Sequence, residues 1–157
     1  MRIWVDADAM PVKVKEILFK AAQREGVPLV LVANVPLKHP DSPLLSSVVV
    51  EDGFNVADDW IVEQVTPGDL VVTADIPLAG RVVDCGATAL DPRGTLYTED
   101  NVKARLATRN LLDELRGAEL ITGGGPPPFT KKDVHAFATA LQAYLVRHRR
   151  GLGPTKG

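Results

Sequence analysis

Apolar residues in this chain follow two alternating patterns: short unbroken runs, and longer stretches in which they recur every three or four positions. Ile3 Trp4 Val5, Leu29 to Ala33, Val48 Val49 Val50, Leu70 Val71 Val72 and Thr88 Ala89 Leu90 are of the first kind. Such runs suit strands buried on both faces of a parallel sheet. Between them, Val14, Ile17, Leu18, Ala21 and Ala22 predict a helix from Pro11 to Glu25, stopped by Gly26. A second helix is expected from Val56 or Ala57 through Val65, and a third from Ile76 to Gly86 with Pro77 just inside its start. A fourth should run from Glu99 to Arg116, capped by Thr98 and amphipathic through Val102, Leu106, Leu111, Leu112 and Leu115. The last helix carries the clearest pattern: Thr130 and Asp133 form a capping pair, and Val134, Phe137, Leu141, Tyr144, Leu145 and His148 form its stripe.

This alternation predicts an α/β fold: one twisted, mainly parallel sheet with helices on both faces and right-handed crossovers. The Trp4 strand should be central, with the strands that lead to Asp6 and Asp75 adjacent. Asn34 to Leu45, with three prolines, reads as a surface loop, and Ser47 to Glu51 as a strand. Asp91 Pro92 Arg93 Gly94 is a turn into a short hairpin arm, Thr95 to Tyr97. The glycines and prolines from Gly123 to Phe129 suit a shaped loop. Residues 1–150 are expected to form one domain and residues 151–157 a flexible tail.

Composition narrows the function. A net charge of −2 excludes a strongly basic nucleic-acid binder, so phosphates would have to meet a local patch. The lone Cys85 cannot form an internal disulfide and reads as a buried free thiol, which fits a reducing cytoplasm. No apolar run reaches membrane-spanning length, and the first strand starts too early to leave room for a signal peptide. A soluble cytoplasmic protein is expected, without a defined oligomeric state. Trp4 and Trp60 read as core residues.

The candidate chemistry is acidic. Asp6 and Asp8 lie on the same side of an extended strand end, Asp58 and Asp59 stand at a helix start, and Asp75 follows another strand. In a parallel sheet such strand ends share one edge, so these carboxylates converge there. Clustered carboxylates repel unless cations lie between them, which makes Mg²⁺ or Mn²⁺ the expected partner. The bland alternative for Asp6 or Asp8 is an N-cap for the helix that follows. Asp59, Thr73 and Asp133 are secondary candidates, Asp133 because a capping box also explains it. Lys13, Arg81, Arg109, Lys131 and Lys132 are candidates for phosphate contacts, although solvated helix faces also explain each one singly. His39, His135 and His148 lack zinc or triad spacing, and the glycines at 123 to 125 match no nucleotide-binding fingerprint.

Trp4 Val5 Asp6 Ala7 Asp8 Ala9, Ala57 Asp58, Thr73 to Ala79, Arg93 Gly94, Arg109 Asn110 Leu111, and Gly124 to Phe129 with Asp133 and Phe137 make the chain resemble the YaiI/YqxD family of uncharacterised bacterial proteins. The resemblance covers almost the whole chain. That family is similar to the PIN-like superfamily, which implies a PIN-like fold and Mg²⁺- or Mn²⁺-dependent cleavage of RNA. On this resemblance Asp6, Asp58 and Asp75 are the three core ligands and Asp8 the fourth. Met10 stands where the family is expected to have Cys, which argues against thiol chemistry there. Val134 replaces an expected Arg, which weakens a phosphate-binding role at that helix start.

The leading expectation is therefore a metal-dependent nuclease acting on RNA. One alternative is a haloacid dehalogenase-like phosphatase with Asp6 as nucleophile, although Ala9 Met10 does not match the residues that usually follow. Another is a binding module that needs metal and recognises RNA or a nucleotide without cutting it.

Overall fold

Strand β1, Ile3–Asp6, is paired on both sides: Ile3 to Asp6 run parallel to Leu29 to Val32 of β2 (Leu29–Ala33), and Ile3 to Val5 run parallel to Leu70 to Val72 of β4 (Leu70–Val72). The computed structural model describes residues 1–8, 10–53, 55–118 and 128–151. Its remaining elements, in chain order, are α1 (Val12–Glu25), β3 (Leu45–Val49), α2 (Val56–Gln64), α3 (Ile76–Asp84), β5 (Thr88–Leu90), β6 (Leu96–Tyr97), α4 (Val102–Gly117) and α5 (Lys131–Arg149). They build an α/β fold around a six-stranded sheet of order β3-β2-β1-β4-β5-β6, parallel except for β6. The Trp4 strand is central and lies beside the strand that leads to Asp75, as expected. Between β1 and β4 the strand order reverses, which is the position where open α/β sheets gather ligand-binding side chains.

Strand alternation sends Ile3 and Val5 to one core, with Val14 and Leu18 of α1 and Phe137 and Leu141 of α5. Trp4 goes to the other, with Ile61 of α2, Leu78 and Val82 of α3, and Val102 of α4. All five residues of β2 are buried, because it has strands on both sides and helices above and below. Gly94 takes φ +97° and lies so close to α5 that a Cβ there would come within 2.8 Å of the Ala136 backbone. Arg93 beside it bonds Asp133 at 2.9 Å and lies over the Phe129 ring, so the β5–β6 turn and the start of α5 are clamped together.

Several sequence expectations are corrected. The third strand covers Leu45–Val49 rather than Ser47 to Glu51, since Leu45 pairs with Leu29 as soon as the proline-rich loop ends. Helix α4 begins at Val102 rather than Glu99. Thr98 does not cap it: the Asn101 Oδ1 accepts from the Thr98 N–H, a tight turn occupies residues 98 to 101, and the Thr98 hydroxyl is buried without a partner. Only Val102 of the α4 stripe is buried, while Leu111 is 56% and Leu112 37% exposed. On α5 the capping box forms, but the buried stripe ends at Leu145 and His148 is exposed. Trp60 is half-buried, edge-on to Trp4 at 5.7 Å. Cys85 is half-buried at the end of α3. The expectations for residues 123 to 127 and for 152 to 157 lie outside the described residues.

Asp69 received no role from the sequence, yet it organises the N-terminal end of the sheet. It is 5% exposed and accepts from the Arg2 N–H at 3.0 Å, the Trp4 Nε1–H at 3.0 Å, the Thr66 N–H at 3.0 Å and the Thr66 hydroxyl at 3.1 Å. Burial pushes its carboxyl up, but the hydrogen bonds from Trp4, Thr66 and Arg2 outweigh that and hold it below the usual range. A depressed native pKa contributes stability above the unfolded pKa and loses it as pH falls through the native value. Asp69→Ala should therefore cost about 2 kcal/mol at pH 7, because several donors lose a charged acceptor. Urea unfolding should show this gap shrinking below about pH 4.

Candidate functional site

Asp6 is the last residue of β1 and half-buried. The Thr73 hydroxyl just beyond β4 donates to its Oδ2 at 2.8 Å, and the same hydroxyl accepts from the Asp75 N–H at 3.0 Å. One buried threonine thus pins the acid after β1 to the loop after β4. Asp75 is the N-cap of α3, its Oδ1 accepting from the Leu78 N–H at 3.0 Å, with Pro77 in the first turn. Asp75 is thus both a strand-end acid and a helix N-cap. The N-cap reading weighed for Asp6 and Asp8 does not hold, since Pro11 occupies the N-cap position of α1 without a side-chain cap. Asp8 is exposed and accepts from the Asn34 N–H at 2.9 Å, which joins the β1 loop to the β2 loop. Asp58 comes from the first turn of α2.

These four residues are electrostatic neighbours. Burial pushes the Asp6 carboxyl up against the lowering hydrogen bond from Thr73, and Asp75 and Asp8 raise it further. Asp58 is pushed up to about 6 by burial, by the charges of Asp75 and Asp6 and by a hydrogen bond with Asp75, with Arg81 acting against the shift. Asp75 and Asp8 thus act on Asp6, and Asp75 and Asp6 act on Asp58, across β1, α2 and the loop after β4.

Among the described residues, however, no three Asp, Glu, His or Cys side chains are arranged to hold a metal ion as they stand. The oxygens Asp6 Oδ2, Asp75 Oδ1 and Asp8 Oδ1 are engaged by Thr73, Leu78 and Asn34. The donor set nevertheless suits a hard divalent cation, with several carboxylates whose mutual repulsion a cation would relieve.

The secondary candidates have other commitments. Asp59 is exposed and pairs with Arg81 at 2.8 Å, linking α2 to α3. Asp133 belongs to the α5 capping box and to Arg93, and its carboxylate acts on Asp91. Lys13 pairs with Glu16 and Arg109 with Asp113, both on exposed helix faces, while Lys131 and Lys132 are exposed at the start of α5. Of the basic candidates, Arg81 is the one whose charge acts on the acid cluster. Thr73 was legible only as part of a motif; its pinning role depends on β1 and β4 being neighbours.

Two outcomes follow from this geometry. If Asp6 holds a divalent cation, Thr73→Val should weaken Mn²⁺ affinity by about tenfold, as expected when a ligand loses the hydrogen bond that orients it. Calorimetric titration measures it. Asp58 has a native pKa above its unfolded one, so its contribution is fully present below about pH 4 and is lost as pH rises through about 6. In EDTA, Asp58→Asn should therefore be more stable than wild type at pH 7 by about 1 kcal/mol, once the shift is discounted for partial exposure. Urea unfolding should show the two converging toward pH 4.

The profile described as "Uncharacterized BCR, YaiI/YqxD family" matches residues 4–147. A UPF0178 protein of Geobacter sulfurreducens is 57% identical over 150 residues, covering 96% of this chain and 99% of the relative. UPF0178 proteins of Solidesulfovibrio magneticus and Aeromonas hydrophila are each 54% identical, covering 92% and 94% of this chain and 96% and 97% of theirs. No solved structure gives a significant match.

Proposed function

The chain belongs to the YaiI/YqxD family, a membership that names no activity, and we propose that it is a divalent-metal-dependent ribonuclease working at Asp6, Asp8, Asp58 and Asp75. The observation that carries this reading is the Thr73 hydroxyl, which joins Asp6 at 2.8 Å to the Asp75 backbone at 3.0 Å at the reversal point of the sheet, with Asp58 on α2 a neighbour of both acids. Asp6, Asp58 and Asp75 would hold the cation, with Asp8 at the open side. Mg²⁺ or Mn²⁺ so held supplies a water nucleophile at neutral pH and offsets charge on the leaving oxygen.

The protein's own part is positioning. Thr73 fixes one oxygen of Asp6, and the N-cap bond fixes one oxygen of Asp75, so their second oxygens are presented from rigid elements. Arg81 stands beside the acids in a surface ion pair with Asp59, which is weak enough to exchange for a phosphate of a bound strand. The phosphatase alternative has less support: Ala9 Met10 does not match the residues that usually follow an aspartyl nucleophile, and the side chains acting on Asp6 are Thr73, Asp75 and Asp8, with no lysine among them.

The test is cleavage of labelled single-stranded RNA with Mn²⁺, with EDTA as control. Loss of cutting in EDTA supports the nuclease. Binding without cleavage of any RNA supports the binding module, and phosphoryl trapped on Asp6 supports the phosphatase.

A further inference from the structure

Charge is divided unevenly between the two helical layers. Helix α1 carries four basic and two acidic residues and α5 four basic and one acidic, so these two helices hold +5 in a chain of net −2, leaving −7 elsewhere. Where they meet, a groove of about 640 Å³ has Lys20 and Arg24 on one wall, His135, Thr139 and Gln142 on the other, and no carboxylate in its described lining. On the opposite layer the cleft beside α2 is lined by Glu51, Asp59 and Glu63 and by no base. Among the described residues, Lys20, Lys131 and Lys132 have no ion-pair partner. Glu25, with its side chain 7% exposed, takes up part of the charge of Arg24 and Arg149 at the far end.

We infer that this groove holds an unpaired RNA strand, its phosphates on the cations of the walls and its bases over the floor. The choice of RNA, and the direction in which the strand leads, follow from the nuclease reading, on which this proposal rests. Both helices begin at the acid edge of the sheet: α1 follows the loop of Asp8, and Asp133 in the first turn of α5 bonds Arg93 in the turn after β5. Lys13 stands one turn before Ile17, and Lys131 one turn before His135, so both walls stay basic up to that edge. Lys13 is in an exposed pair with Glu16 at 3.6 Å, weak enough to exchange for a phosphate. From Lys13 to Arg24 the helix rises about 16 Å, room for about five stacked nucleotides.

The floor, formed by Ile17, Ala21, Ala138 and Ala143, is apolar and meets base faces without reading base edges. Binding should therefore follow charge and salt with little sequence preference, and a duplex, whose bases are stacked inside, should bind more weakly. An anionic membrane is the other large polyanion that basic helices meet. A helix lying on a membrane needs large apolar residues on its outer side. Of the exposed large apolar residues in the described chain, only Val12 lies on α1 or α5, while Gln23, Thr139 and Gln142 occupy exposed positions there. A nucleic-acid strand fits that surface better.

Fluorescence anisotropy of a labelled single-stranded RNA of about 12 nucleotides tests it, over a salt series and in EDTA so that nothing is cut. Lys20→Gln/Arg24→Gln should weaken binding about tenfold or more at about 0.1 M salt and lower the salt slope by about 1.4, the share of two phosphates on a single strand. Lys20→Gln alone, which leaves the bonds of Arg24 to Gln142 and Glu25 in place, should lower the slope by about 0.7. Lys103→Gln/Arg116→Gln removes the same charge from α4 and should leave affinity unchanged. A strand carrying 4-thiouridine should crosslink to peptides of α1 and α5. No binding by wild type, an equal loss in the α4 variant, an unchanged slope in the groove variants, tighter binding of a duplex, or crosslinks confined to other elements would overturn the inference. So would phosphatidylserine vesicles that bind through Lys20 and Arg24 when the RNA does not. The four acids are intact in these variants, so a failure here leaves the metal site standing, and a failed cleavage assay leaves this binding standing.

Discussion

Asp6→Asn should lose Mn²⁺-dependent cleavage of single-stranded RNA by on the order of a hundredfold or more, since even partners that merely orient a ligand are worth about 10- to 100-fold. Asparagine keeps the size of the side chain and an acceptor for the Thr73 hydroxyl, so the pin between β1 and the β4 loop survives. What disappears is one negative charge. The metal-free fold should accordingly be no less stable, since burial and the neighbouring Asp75 and Asp8 raise the cost of ionising Asp6. RNA affinity should hold or rise slightly, because phosphate contacts depend on basic groups such as Arg81 and weaken with salt. Cleavage and affinity measured on the same preparations separate catalysis from binding. Cleavage that persists in Asp6→Asn or in EDTA would remove Asp6 from the reaction.

On the proposed reading, Mn²⁺ at about a hundred times its Kd should stabilise the wild type by roughly 2.7 kcal/mol, because it would bind the folded state and not the dispersed acids of the unfolded chain. For a chain of this length that is a rise in Tm of about 5 to 10 °C. Asp75→Asn should lose most of the rise. Asparagine is as good an N-cap as aspartate, so α3 should keep its start while the site loses an anionic ligand. Differential scanning calorimetry with and without Mn²⁺ measures this. Equal shifts in both proteins would take Asp75 out of the site.

The sheet was legible because its determinants are local and repetitive. Five apolar runs separated by helical spacing specify a parallel α/β fold, and the run at Leu29 to Ala33 can be satisfied only between two strands. The acid edge was legible for the same reason: Asp6 and Asp75 follow strands of one sheet. Asp69 escaped notice because its four donors come from Arg2, Trp4 and Thr66, which meet only once β1 lies beside β4. The α4 stripe misled because periodicity shows which residues share a side of a helix, not whether that side meets the core. Asp133 was ambiguous in the sequence; its bonds to Thr130 and Arg93 tie it to the clamp on α5.

The most direct measurement is the anomalous difference density of crystals grown with Mn²⁺, recorded at the manganese edge. The account predicts a peak coordinated by carboxylate oxygens of Asp6, Asp58 and Asp75, at oxygen–metal distances of about 2.0 to 2.3 Å. A peak elsewhere, or none among these three carboxylates at saturating Mn²⁺, would contradict it.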